Sequence, residues 1–116
     1  MVQALEYGVS LVPTVELIFD ATCPNVDVTR RQLRDALARI GRVPRWTEWD
    51  RATAGAPAYV QRYASPTVLV AGRDVAGGGT VDPGAGCRVY RDSAGVFVGA
   101  PTVDSIVAAL TAAERA

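Results

Sequence analysis

The sequence of 116 residues contains no histidine. This absence excludes a Ser–His–Asp triad, a Cys–His dyad and any metal site built on imidazole ligands. Cysteine is also scarce: Cys23 and Cys87 are the only two, and two thiols alone do not complete a tetrahedral zinc site. A stabilising disulfide is not expected in a reducing compartment. Catalysis by a thiol, or binding of a soft metal ion, is the chemistry that remains.

The chain also lacks net charge and long apolar runs. Its 12 basic residues balance 12 acidic residues, whereas a nucleic-acid partner requires a basic excess. No segment approaches the ~18 apolar residues of a membrane span, so no membrane partner is expected. Residues 1–13 carry Glu6 and no basic residue, unlike the start of a secretory signal. We therefore expect a cytoplasmic protein, and the sequence indicates neither a cofactor nor an oligomeric state.

Strand and helix patterns alternate along the rest of the chain. Apolar periodicity, glycines and prolines predict strands over residues 14–20, 45–50 and 67–71, helices over residues 24–40, 57–64 and 101–114, and a hairpin over residues 87–98. Gly41 is expected to end the first helix as its C′ residue. The order predicts an α/β domain over residues 14–116, after an N-terminal extension over residues 1–13. Two βαβ crossovers predict a largely parallel sheet with helices on both faces.

Cys23 lies between the first predicted strand and the first predicted helix. Pro24 suits the first helical position, where its missing N–H is not needed, so Cys23 is expected at the N-cap. Free N–H groups and the helix dipole favour a thiolate there, and a thiolate is both a nucleophile and a metal ligand. Thr22 or Asp20 could form a hydrogen bond near this thiol, although Asp20 as a close anion would raise its pKa, and the sequence leaves the net direction open. The alternative is an inert buried cysteine, but the position before proline favours a reactive one.

Cys87 follows a glycine-rich segment, residues 72–86, which has the composition of a flexible loop. A loop of this length in a small domain is often functional. Its movement would carry Cys87 to Cys23, and Arg88 would favour the Cys87 thiolate. An equally acceptable interpretation is that Cys87 fills space at the start of a strand.

Three segments, residues 17–24, 65–70 and 99–110, together resemble the thioredoxin superfamily: its active strand and loop, its cis-proline segment and its closing helix. A closer similarity is to small actinobacterial thioredoxin-fold proteins with Cys-Pro-Asn, Ser-Pro-Thr and Cys-Arg-x-Tyr motifs, which occur here at residues 23–25, 65–67 and 87–90. Some of those proteins are labelled alkylmercury-lyase-like. The resemblance implies a thioredoxin-like fold with a mixed central sheet, and a cis Pro66 against Cys23.

Two departures from the thioredoxin pattern bear on the mechanism. Val26 stands where the Cys-x-x-Cys motif has its second thiol, and Leu17 falls where many thioredoxins bury a carboxylate. Disulfide exchange within one motif is therefore not expected, and either a one-cysteine mechanism or a partnership with Cys87 as the resolving thiol would replace it. The predicted catalytic residues are Cys23 and Cys87. The predicted substrate-binding residues are Pro24, Ser65, Pro66, Asp20 and Arg88.

Three functions are compatible with these residues. The first is thiol–disulfide exchange, in which Cys23 attacks a thiol or disulfide substrate and Cys87 resolves the mixed disulfide. The second is binding or processing of a soft metal ion, mercury or an organomercurial, with Cys23 and Cys87 as the metal ligands. The third is a non-catalytic interaction module. We favour the first, and the sequence does not indicate its substrate.

Overall fold

The computed structural model describes residues 13–77 and 87–115. Its strands are β1 (Val15–Phe19), β2 (Thr47–Asp50), β3 (Thr67–Val70), β4 (Arg73–Asp74), β5 (Tyr90–Arg91) and β6 (Phe97–Val98). Its α-helices are α1 (Val26–Arg39) and α2 (Val103–Arg115), and a 3-10 helix covers Ala58–Arg62. Except for Pro13, the predicted N-terminal extension lies outside the described residues, and so do residues 78–86 of the predicted loop.

Four strands form one mixed sheet in the order β2-β1-β3-β4. β1 pairs in parallel with β2, and it pairs antiparallel with β3, where Leu17 lies opposite Val68. The mixed sheet is as predicted. The prediction that the third strand runs parallel to the first is wrong, because β3 is antiparallel to β1. The connection from β2 to β3 contains a 3-10 helix of five residues, about 10 Å long, instead of the longer α-helix that usually returns a chain to a parallel strand.

The two faces of the sheet are covered differently. Strand alternation places Val15 and Leu17 of β1 on the face that both α-helices cover. The core there also contains Val68 and Val70 from β3, Leu33 and Leu37 from α1, and Ile106 and Leu110 from α2. The opposite face presents Ile18 and Leu69, which pack against Val60 of the 3-10 helix. Helices therefore lie on both faces as predicted, although the second face carries a 3-10 helix.

α1 starts later than the sequence predicts. It begins at Val26 with Asn25 as the N-cap, so Cys23 precedes the helix by three residues and is not its N-cap. The physical reason is a turn: the Cys23 N–H donates to the Asp20 carbonyl at 2.9 Å, and the chain enters helical geometry only after Pro24. The first helical hydrogen bond joins the Thr29 N–H to the Asn25 carbonyl.

The end of α1 confirms the role predicted for Gly41. Ile40 is the C-cap, and Gly41 follows it with φ +73°, in the left-handed region that favours glycine. The Gly41 N–H donates to Ala38, and the Arg42 N–H donates to Leu37 at 2.8 Å. These bonds satisfy carbonyls at the end of the helix.

Gly41→Ala is expected to lower the free energy of unfolding by about 1 kcal/mol, because a Cβ is unfavourable at positive φ. Among the described residues, no atom lies within 4 Å of the place that this Cβ would occupy, so the cost is conformational and not steric. Gly55→Ala is the matched control, since Gly55 has equal space and no positive φ. Urea unfolding of both variants measures the difference. Equal stability of the two variants would show that Gly41 carries no such constraint.

The C-terminal hairpin is shorter than predicted. β5 and β6 pair antiparallel, with Tyr90 opposite Val98, and Asp92 accepts hydrogen bonds from two N–H groups in the connecting turn.

α2 begins after Thr102, whose hydroxyl accepts the Ser105 N–H at 3.0 Å. None of the helices in residues 13–77 and 87–115 is long and apolar enough to cross a membrane.

Candidate thiol site

The two cysteines meet in the folded chain. The Sγ atoms of Cys23 and Cys87 lie 2.7 Å apart although the residues are 64 positions apart in sequence, and both thiols are free. A disulfide bond is ~2.05 Å long, so the sulfurs need to approach by only about 0.7 Å to form one. The predicted proximity of Cys23 and Cys87 is confirmed.

Ser65 links the two turns that carry the cysteines. Its hydroxyl accepts the Asp20 N–H at 2.9 Å, three residues before Cys23. Its carbonyl accepts the Arg88 N–H at 2.6 Å, and Ser65 forms a parallel bridge with Cys87. Ser65 was predicted to bind substrate, but it is 1% exposed and all these bonds go to the protein. The structure therefore places Ser65 beneath the thiols as a connecting residue.

Pro66 follows Ser65 through a cis peptide bond, as expected from the sequence. The side chain of Pro66 is fully buried, and its carbonyl accepts a hydrogen bond from the Tyr90 hydroxyl. A direct contact between Pro66 and the Cys23 sulfur stays a prediction.

The hydrogen bond between the sulfurs affects the protonation of Cys87. This hydrogen bond, in which either sulfur can be the donor, is the largest cause that raises the pKa of Cys87, which reaches about 11. Burial raises this pKa further, and so do Coulombic interactions with Cys23 and Asp20. Cys87 therefore keeps its proton near neutral pH.

Asp20, a predicted substrate-binding residue, is held in an ion pair. Nη1 of Arg51 lies 2.9 Å from both carboxylate oxygens of Asp20. Arg51 directly follows β2, and its N–H donates to the Phe19 carbonyl at 2.8 Å, so the pairing of β1 with β2 brings it to the site. Sequence reasoning missed Arg51 because no motif marks it and 31 residues separate it from Asp20.

An open cleft of about 350 Å³ lies beside Cys23. Its lining comprises Phe19, Ala21, Cys23, Pro24, Val26, Asp27 and Arg30. Cys23 is 8% exposed and Pro24 is exposed, so Pro24 is the predicted substrate-binding residue that is most accessible here. The guanidinium of Arg30 is paired with Asp27 and Glu48, both at 2.9 Å, and its hydrogen bonds lower the pKa of Glu48. The cleft therefore combines apolar side chains with the charged side chains of Asp27 and Arg30, whose charges are compensated by pairing.

Arg88 points away from the cleft into the protein. Its Nη1 lies 2.7 Å from Asp74 and donates to the Thr67 hydroxyl at 3.0 Å. The guanidinium also lies 4.5 Å from the centre of the Tyr90 ring. Arg88 was predicted to bind substrate, yet its side chain is 7% exposed and is bound to Asp74 instead.

The distance between the sulfurs bears on the metal alternative. A metal ion with two thiolate bonds of ~2.3 Å in tetrahedral geometry holds its sulfurs about 3.8 Å apart. At 2.7 Å the two sulfurs are too close to share such an ion without moving. In the described part of the chain, no group of three or more Cys, Asp or Glu side chains is arranged to hold a metal ion.

The chain matches no protein-family model, no curated protein and no solved structure. Its function is therefore inferred from the geometry of the thiol site.

Proposed function

We propose that this protein carries out thiol–disulfide exchange, with Cys23 as the attacking thiol and Cys87 as the resolving thiol. The observation that supports the proposal is the 2.7 Å separation of two free sulfurs. Both sulfurs are held by the folded chain, so conversion between dithiol and disulfide requires little movement. An inert pair of cysteines has no need of this proximity, which is why we prefer exchange to a non-catalytic interaction module.

The proposed reaction has two steps. The Cys23 thiolate attacks one sulfur of a disulfide substrate, and the second substrate sulfur leaves as a thiolate. Cys87 then transfers its proton to solvent or to that thiolate, and its sulfur attacks Cys23, which releases the first substrate sulfur. The substrate gains two electrons, and the protein becomes the Cys23–Cys87 disulfide. A low-molecular-weight thiol such as glutathione returns it to the dithiol.

The surroundings of each thiol support this division of roles. Cys23 borders the cleft where a substrate disulfide would enter. Cys87 has a pKa raised to about 11, with its hydrogen bond to Cys23 as the largest cause. A thiol that stays protonated is a poor attacking group, so Cys23 makes the first attack, and Cys87 loses its proton before it attacks the mixed disulfide.

The proposed fold is thioredoxin-like, with the thiol pair divided between two loops. The arrangement of the three segments that carry the resemblance supports this. Ser65 of the second segment is hydrogen-bonded to Asp20 of the first. Gly99 of the third lies so close to the Asn25 side-chain amide that a Cβ at residue 99 would clash with it. All three segments therefore meet beside Cys23.

Mass spectrometry after reaction with glutathione disulfide tests the function. The wild-type protein is expected to lose two hydrogens and retain no glutathione, because Cys87 resolves the adduct. Cys87→Ser should accumulate one glutathione on Cys23. Cys23→Ser should react more slowly than wild type, because Cys87 is not among the residues that line the cleft. A parallel sample with one equivalent of mercuric ion tests the metal alternative.

Two results would contradict the proposal. If wild-type protein stays reduced under conditions that oxidise a small dithiol, the interaction module becomes the better interpretation. If it stays reduced but retains mercuric ion bound to both thiols, the soft-metal function replaces exchange.

A further inference from the structure

The residue after Cys87 belongs to a buried ion pair. The side chains of Arg88 and Asp74 are 7% and 3% exposed, and their charged atoms lie 2.7 Å apart. Burying two charges costs desolvation energy that their attraction repays only in good geometry, and an apolar pair of similar size is often at least as stable. Stability alone therefore does not explain why this pair is found here.

The ion pair fixes one particular stretch of backbone. Arg88 reaches Asp74 on β4 and the Thr67 hydroxyl on β3, while its N–H holds the Ser65 carbonyl. Two residues later, the Tyr90 hydroxyl donates to the Pro66 carbonyl. Residues 88 and 90 are thus both attached to the segment that begins β3. This attachment determines the position of the preceding residue, Cys87, and therefore the position of its sulfur.

We infer that Arg88 and Asp74 are positioning residues that hold the Cys87 sulfur within reach of Cys23. The inference rests on the proposed thiol–disulfide exchange. It adds that the ion pair of Arg88 and Asp74 makes the attack of Cys87 on Cys23 fast and the resulting disulfide stable. Arg88 touches neither substrate nor sulfur in this role. It acts through the backbone that it shares with Cys87.

The test measures how strongly each variant favours the Cys23–Cys87 disulfide in a glutathione redox buffer. Arg88→Met combined with Asp74→Val removes both charges, so no uncompensated charge stays buried. We expect this double variant to favour the disulfide at least tenfold less than wild type, a rise in reduction potential of about 30 mV. Arg88→Lys keeps the positive charge but not the planar guanidinium. Its preference for the disulfide should lie between those of wild type and the double variant.

The control removes another ion pair, which is more exposed than that of Arg88 and Asp74. Arg42→Met combined with Glu114→Val eliminates the pair between the loop after α1 and the end of α2, at the opposite end of α1 from Cys23. It should leave the disulfide equilibrium unchanged. Thermal unfolding of each reduced variant is recorded in parallel, because a merely structural role would lower the unfolding temperature without changing the equilibrium of the folded protein.

The outcomes separate the two proposals. If wild type forms the disulfide and the Arg88 variants form it equally well, the positioning role is wrong and exchange stands. If wild type itself forms no disulfide, the proposed function fails. Should that double variant not fold, Arg88→Gln combined with Asp74→Asn decides, because it removes both charges and keeps polar side chains of similar shape; an unchanged equilibrium in that folded variant also overturns the positioning role.

Discussion

The oxidised protein is expected to be more stable than the reduced protein by about 4 kcal/mol. A bond between Cys23 and Cys87 joins residues 64 positions apart, and closing a loop of that length removes about this much chain entropy from the unfolded state. In a domain of 116 residues, this corresponds to a rise of roughly 15 °C in the unfolding temperature. Because the sulfurs are already adjacent, the folded state should adapt with little cost.

Thermal unfolding followed by circular dichroism, with and without a reductant, measures this difference. Cys23→Ser and Cys87→Ser provide the control, since neither can form the bond and their unfolding temperatures should not respond to the reductant. Equal unfolding temperatures for oxidised and reduced wild type, with the disulfide verified by mass, would show that the bond strains the folded state.

The second large effect concerns the reactivity of Cys87. Its pKa is raised to about 11, so its thiolate fraction near neutral pH is about a hundredfold lower than that of an ordinary thiol. Cys23→Ala removes the largest cause of that rise, because alanine has no side-chain atom that can form this hydrogen bond. The lower pKa also makes the thiolate less nucleophilic, which offsets part of the gain. We expect iodoacetamide to label Cys87 about tenfold faster at pH 8 in Cys23→Ala than in reduced wild type.

The pH profile supplies an independent check. Because the thiolate is the reacting form, labelling of Cys87 in reduced wild type should keep increasing up to about pH 11, whereas in Cys23→Ala it should level off at lower pH. Peptide mapping after labelling assigns the modified residue. Identical profiles for the two proteins would mean that the hydrogen bond between the sulfurs does not control Cys87.

Much of the local structure was predictable because it depends on neighbouring residues. The apolar run in β1, the amphipathic pattern of α1 and the glycine that ends it are short-range signals, and the structure bears each of them out. The start of α1 was misplaced because the turn through Asp20 and Cys23 competes with the preference of Pro24 for the first helical position.

The sequence by itself determined that any thiol chemistry is confined to Cys23 and Cys87 and takes place without a histidine. The tertiary structure alone decided that those thiols lie 2.7 Å apart, that Arg51 pairs with Asp20, and that Arg88 points inward to Asp74. The tertiary structure also decided that β3 runs antiparallel to β1. The physical reason is distance along the chain. Contacts between residues tens of positions apart depend on strand register and on competition among buried groups, and no local pattern records either.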